Sequence, residues 1–218
     1  MGNVHDLDGA SDRIRELWPE DLPGLTKFAS FTAEEVGTPK SGLNSDVLNP
    51  DGTDVLLPLN EPVDTPDFKS QVSTFLTYMG GEAVQHVAFK VDDVVAEVER
   101  MREAGVEFLD APPADYYERA REVAGGRLSD EQWEDARRLG ILVDVETSSV
   151  GTGMLMQIFT KPFSSSPVGG GLFFEIIQRV GCGGTNAVGC GGFGKGNFRR
   201  LYEGIERREE EEREKAKM

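Results

Sequence analysis

The sequence predicts an α+β layer architecture, and three observations predict it. From residue 83 onward the order is strand, helix and then several strands, unlike the alternation of a parallel α/β unit. The turn-rich first part, with a helix ahead of its strands, has the pattern of an internal copy of the same unit. At 218 residues, with 38% hydrophobic and 28% charged, the chain is long enough and apolar enough to bury a core.

In the first part, residues 11–18 read as a helix capped by Ser11 or Asp12, with Ile14 and Trp18 on one face. Residues 43–48 and 55–59 read as strands joined by the turn Asn49-Pro50-Asp51-Gly52. Residues 69–78 fit either a helix turn or an irregular crossing segment, and Gly80-Gly81 breaks the chain after them. Residues 83–91 form the next predicted strand. Residues 94–104 follow as an amphipathic helix with Val94, Val95, Val98 and Met101 inward, stopped by Gly105. A short strand at 106–109 leads into helical pieces at 116–123 and 130–139. Three strands come next, at 141–145, 154–160 and 172–180. Glycine dominates 181–196, a loop. Residues 197–215 read as a terminal helix with Phe198, Leu201, Tyr202 and Ile205 on one face, and 209–217 as its solvated charge run.

The formal net charge of −16 repels phosphate backbones and argues against a nucleic-acid partner. No apolar run approaches the length of a membrane span, and the opening residues MGNVHDLDGASDR lack the features of a secretion signal. Two cysteines, Cys182 and Cys190, make no disulfide framework and fit a reducing, cytoplasmic compartment.

Two polar residues interrupt apolar strands. Glu175 lies among Phe173, Phe174, Ile176 and Ile177, and alternation puts Phe173, Glu175 and Ile177 on one face. A carboxylate there costs several kcal/mol, roughly, unless it is paired or bound to metal. Arg179, two residues along on the same face, is the alternative partner. His86 sits inside Val84-Gln85-His86-Val87-Ala88-Phe89, as a hydrogen-bonded core residue or as a ligand. Together an imidazole and a carboxylate on separate strands supply two of the three groups of a facial triad for Fe(II). The third should be a second histidine, and the chain offers only His5. Gln157 shares a face with Leu155 and Phe159. With Gln71, Gln85, Ser45 and Asn60 it forms a set of neutral hydrogen-bonding groups in or beside strands, suited to a small hydroxylated ligand. Gly189-Cys-Gly-Gly-Phe-Gly194-Lys195 matches the start of a phosphate-binding loop, but Gly196 stands where Ser or Thr is needed and no strand leads into it. The cysteines beside it have no histidine nearby to complete a zinc site.

The stretches SGLNS (41–45), LPLNEP (57–62), KSQ (69–71), VQH (84–86), GILVD (140–144), LMQIFTKP (155–162), FFEIIQR (173–179) and GFGKGNF (192–198) resemble the 4-hydroxyphenylpyruvate dioxygenase family, in the family's order. The resemblance implies a vicinal-oxygen-chelate fold, with paired βαβββ modules curling round a metal site and a C-terminal lid helix. It places an incomplete first module at 1–66, a second at 67–181, and the glycine loop and lid at 182–218. It implies Fe(II) held by two histidines and a glutamate, with His86 matching the second histidine and Glu175 the glutamate. Ser45, Asn60, Gln71 and Gln157 match catalytic pocket positions. Pro58, Gln85, Leu142, Phe159, Phe173, Phe193, Asn197 and Phe198 match substrate-binding ones.

The implied reaction takes 4-hydroxyphenylpyruvate and O2 to homogentisate and CO2, in tyrosine catabolism. The resemblance admits a homodimer and requires neither nucleic acid nor membrane. Two departures stand out. The family's first iron histidine falls two residues ahead of Met1, and His5 does not align with it. The family's additional amino-terminal domain has no counterpart in the sequence. The expectation is therefore a truncated chain that binds iron weakly and turns over slowly or not at all. A 4-hydroxymandelate synthase, or a degenerate module of the same fold without metal, are the alternatives.

Overall fold

In a computed structural model of the chain, the described residues are 1–37, 42–66, 68–148, 151–163, 171–181, 192 and 197. They divide into two compact units, one built on Met1–Gln85 and the other on His86–Ser165 and Leu172–Asn197.

The first unit opens with a two-residue strand, β1 (Gly2–Asn3), and a helix, α1 (Leu7–Leu17). Asp6 caps α1 by accepting from the Gly9 N–H, four residues or more ahead of the predicted start. Ser11 and Asp12 are therefore helix-interior residues, and a cap one turn upstream competes better because Asp6 is extended and precedes Leu7. Next come β2 (Leu25–Phe31), the short α2 (Ala33–Val36), β3 (Gly42–Pro50) and β4 (Leu57–Val63). The predicted hairpin is there, with Leu48 opposite Leu57 and Leu43 opposite Pro62. Its second strand starts two residues later than predicted. β2 was not predicted: it is an edge strand of mixed polarity with an irregularity between Lys27 and Ala29. The ambiguous segment at 69–78 is a helix, α3 (Gln71–Met79), capped by Ser70 and ended by Gly80 in the left-handed conformation at φ 72°. The strand β5 (Ala83–Val84) pairs antiparallel with β1, giving the sheet order β2-β3-β4-β1-β5.

Residues opposite one another in a ladder share a face. One face of this sheet buries Leu48 and Leu59 with Val4 and Ala10, backed by Leu7 and Ile14 of α1. The other face presents Asn3, Ser45, Val47, Pro58 and Asn60, and α3 packs at its Leu43 end through Val72 and Leu76.

Asp64 ties α3 to the strand before it. Its carboxylate accepts from the Ser70 N–H and the Ser73 hydroxyl, both at 2.7 Å. Burial raises the Asp64 pKa, but these hydrogen bonds and the Lys69 charge outweigh it and bring the value below the usual 3.8. A carboxyl depressed on folding contributes stability above its unfolded pKa and loses that contribution as pH falls through its folded one. Asp64→Asn is expected to cost about 0.5 kcal/mol at neutral pH, since solvent screens this exposed group. The gap from wild type should close below pH 3.8 in urea titrations.

The second unit has the same chain order. The predicted strand at 83–91 is two strands: at Gln85, whose N–H donates to the Met1 carbonyl, the chain leaves the first sheet and enters the second. β6 (His86–Lys90) is followed by α4 (Val94–Glu103), α5 (Ala114–Ala124) and α6 (Asp130–Leu139). Then come β7 (Leu142–Ser148), β8 (Gly151–Phe159) and β9 (Phe173–Gly181). The predicted strand at 106–109 reduces to one isolated bridge, Phe108 to Thr160, because β8 already pairs with β7 and β9.

The sheet order is β6-β9-β8-β7, with β6 parallel to β9 and the other pairs antiparallel. In the first unit β1 likewise lies parallel to β4, beside the β2-β3-β4 meander. Each unit is thus a βαβββ module, its first strand set against its last. The sequence division at residues 66/67 and the compact-unit division at 85/86 differ in the placement of α3 and β5. One face of the second sheet is apolar: Val143, Met154, Met156, Ile158 and Ile176 pack on Val94, Val98, Tyr116, Trp133, Ala136 and Leu139 of the helices. Helices cover that face, and His86, Gln157 and Glu175 lie on the other. No helix among the described residues is long and apolar enough to cross a membrane.

Candidate metal centre

Strand alternation builds the second face. Register places His86 opposite Phe173, Ala88 and Phe159 opposite Glu175, and Gln157 opposite Leu142 and Ile177. His86, Gln157, Phe159, Phe173 and Glu175 therefore all project from the side away from the helices, while Leu142, at the start of the edge strand, also packs against the helix-side core.

His86 and Glu175 meet there. Nε2 of His86 lies 3.2 Å from Oε2 of Glu175, and both side chains are nearly buried, at 7% and 12% exposed. The Phe173 ring stacks on the imidazole at 5.0 Å and Phe159 approaches it edge-on at 6.3 Å. The carboxylate of Glu175 thus faces the imidazole. Arg179 lies further along the same face, buried, and its Nη1 donates to the Gly192 carbonyl at 2.5 Å. Burial lowers the Arg179 pKa, and the charges of Glu175 and Glu146 oppose that shift.

The donor pair fits a transition metal. Imidazole nitrogen and carboxylate oxygen bind such ions at about 2.1 Å, so two donors at right angles sit about 3 Å apart. The observed 3.2 Å separation matches that spacing. No group of three His, Cys, Asp or Glu is assembled among the described residues. His5 is exposed in the first unit, where its backbone N–H donates to Glu82.

Gln157 is buried, and its Oε1 accepts no hydrogen bond among the described residues. An unsatisfied buried acceptor costs about 1–3 kcal/mol. In the first unit, Ser45, Pro58 and Asn60 share the face opposite α1. Asn60 Nδ2 donates to Oδ1 of Asn3 at 3.3 Å. Gln71 opens α3, and Gln85 is the residue where the chain changes sheets. Asn197 is buried and joined to Tyr116 of α5. Phe193, Phe198, the two cysteines and most of the phosphate-loop look-alike lie outside the described residues.

The family model for the Glyoxalase/Bleomycin resistance protein/Dioxygenase superfamily matches residues 27–132. That stretch, just under half of the chain, is similar to this superfamily, and the βαβββ modules described above agree with the likeness.

Relatives sharpen this likeness. The 4-hydroxyphenylpyruvate dioxygenase of Plectranthus scutellarioides is 44% identical over 217 residues, 94% of this chain and 47% of that protein. That of Daucus carota is 45% identical, over 93% of this chain and 48% of its own. The chain spans about half the length of the curated relatives it matches, and the match falls on their C-terminal half. A solved mutant of 4-hydroxymandelate synthase from Streptomyces coelicolor has a TM-score of 0.66 at 28% identity, covering 95% of this chain and 53% of the other.

Sequence reasoning did not single out Asn3, Tyr116 or the Gly192 bond of Arg179. A two-residue strand has no periodicity to mark Asn3, and the other contacts depend on residues distant in the chain. The one available signal was Arg179 itself, a charged residue on an apolar strand.

Proposed function

We propose that the protein acts as an Fe(II)-dependent dioxygenase that converts 4-hydroxyphenylpyruvate and O2 to homogentisate and CO2. The observation that carries this reading is the pair of His86 and Glu175, 3.2 Å apart on one sheet face and walled by Phe159 and Phe173. His86 and Glu175 would hold the ion, as two of the three groups of a facial triad. When bound, ferrous ion supplies dioxygen activation and the oxidative decarboxylation of an α-keto acid.

The chain's own residues do the rest. Phe159 and Phe173 flank the imidazole, exclude water from the donors and offer aromatic surface to a substrate ring. Gln157 Oε1 accepts the phenolic O–H without competing for the metal, because a neutral amide is a weak ligand. Ser45 and Asn60 offer neutral donors and acceptors, with Asn60 oriented by Asn3. Gln71, Gln85, Pro58, Leu142, Phe193, Asn197 and Phe198 complete the substrate-contacting set in this reading. This reading goes with a cytoplasmic compartment and admits a homodimer.

Product analysis tests this. Incubation of the protein, in a form carrying an Asp-His pair upstream of Met1, with Fe(II), O2 and 4-hydroxyphenylpyruvate is expected to yield homogentisate. 4-Hydroxymandelate as the sole product would replace this reading with that of the synthase, the activity named for the solved structure of TM-score 0.66. Neither product, with metal bound, would overturn both.

A further inference from the structure

Asn3, Asn60 and Ser45 form a row across β1, β4 and β3. Register puts Asn3 opposite Asn60 and Asn60 opposite Ser45, so all three side chains leave the face turned away from α1. Asn3 and Asn60 are buried, at 0% and 1% exposed. One hydrogen bond joins their amides: Asn60 Nδ2 donates to Asn3 Oδ1 at 3.3 Å. That bond occupies the oxygen of Asn3 and fixes its amide plane. Nδ2 of Asn3 has no acceptor among the described residues.

The fold does not require this arrangement. β1 is held on β4 by backbone bonds, and the Val4 N–H beside them donates to the Asn60 carbonyl at 2.8 Å. Val47, fully buried on the same face, shows that an apolar side chain packs at this depth. A buried donor without an acceptor lowers stability, whereas apolar groups of the same shape in place of a hydrogen-bonded pair are nearly neutral. An amide fixed through one atom and unsatisfied at the other suits a ligand that brings an acceptor.

We infer that Asn3 is a further substrate-binding residue, whose Nδ2 donates to an oxygen at the α-keto acid end of the substrate. This rests on the proposed function, which already gives Asn60 and Ser45 to substrate contact. An amide nitrogen only donates. The carboxylate and keto oxygens of 4-hydroxyphenylpyruvate only accept, so they match the Asn3 donor. The phenol has a proton to give, and the acceptor Oε1 of Gln157 matches that. The two amides thus sort the two ends of the substrate by hydrogen-bond direction.

Anaerobic equilibrium dialysis of the iron-loaded, upstream-extended form reads binding without turnover. Asn3→Leu is expected to weaken 4-hydroxyphenylpyruvate about tenfold, the effect of losing one buried hydrogen bond, with iron content unchanged. Phenylpyruvate, which keeps the acid and lacks the phenol, should lose the same factor. A loss confined to 4-hydroxyphenylpyruvate would put Asn3 at the ring and overturn the assignment. In an Asn60→Leu background, Asn3→Leu should still cost about fivefold. No further loss there would mean that Asn3 acts only by orienting Asn60, and unchanged affinity in the single variant would refute the contact outright. Wild-type protein that holds iron and neither keto acid would sink the functional reading itself. Folding gives a separate readout on the chain as it stands. Asn3→Leu combined with Asn60→Leu should leave the urea unfolding constant within about tenfold of wild type. A larger loss would make the two amides part of the core and overturn the inference.

Discussion

Glu175→Gln is expected to abolish homogentisate formation in a form of the protein extended upstream to include an Asp-His pair. The substitution keeps the size of the side chain and removes the charge that a divalent ion needs. Changing a group that merely orients a metal ligand costs about 10–100-fold in affinity or activity, so losing a ligand costs more than about a hundredfold. Glu175 is flanked by Phe159 across β8 and Ala88 across β6, and no other carboxylate is directly opposite it. No neighbour on these strands can take over its role. A drop of less than tenfold, measured by product formation at saturating Fe(II), would show that Glu175 is not a ligand.

The second large effect is on stability. Trp133 of α6 is buried in the helix-covered face of the second sheet with Leu139, Met154 and Met156. Trp133→Ala is expected to cost about 3–5 kcal/mol, because the cavity it leaves is lined by residues from both the helix and sheet layers. Urea denaturation of the variant against wild type measures this. A loss below about 1 kcal/mol would mean that this layer does not carry the module's core. Trp133 lies in the helix-covered core and Glu175 on the other face, so the two predictions address opposite sides of one sheet.

The parts of the fold that were legible from sequence are those whose signals are local. α4 and α6 have apolar residues at helical spacing and explicit stops, Gly105 after α4 and Gly140 after α6 at φ 76°. α6 also starts at Ser129 with Gln132 reaching back, a capping box written in four residues. β8 and β9 carry long apolar runs, and Ile141-Leu142-Val143 leads into β7, so all three read as strands. His86 and Glu175 were legible for the same reason: each is a polar residue that an apolar strand must justify.

What stayed hidden depends on tertiary partners. β2 reads as polar because it is an edge strand, its buried neighbours lying on one side only. The switch at Gln85 from one sheet to the next has no local mark, since Val84 and His86 continue the same alternation in sequence. The choice between a helix and an irregular segment at 69–78 was settled by Ser70, whose hydroxyl caps α3, together with Asp64 six residues ahead of it. The orphaned Oε1 of Gln157 is the least legible feature, since satisfaction of a buried amide is decided wholly by what surrounds it.

Anaerobic equilibrium dialysis against Fe(II) puts the metal centre itself to trial. With the upstream Asp-His pair present, the protein should bind one equivalent of iron. His86→Ala and Glu175→Ala should each weaken that binding more than about a hundredfold while the fold, followed by circular dichroism, is retained. Iron held at full stoichiometry and unchanged affinity by both folded variants would mean that this imidazole and this carboxylate pair only with each other.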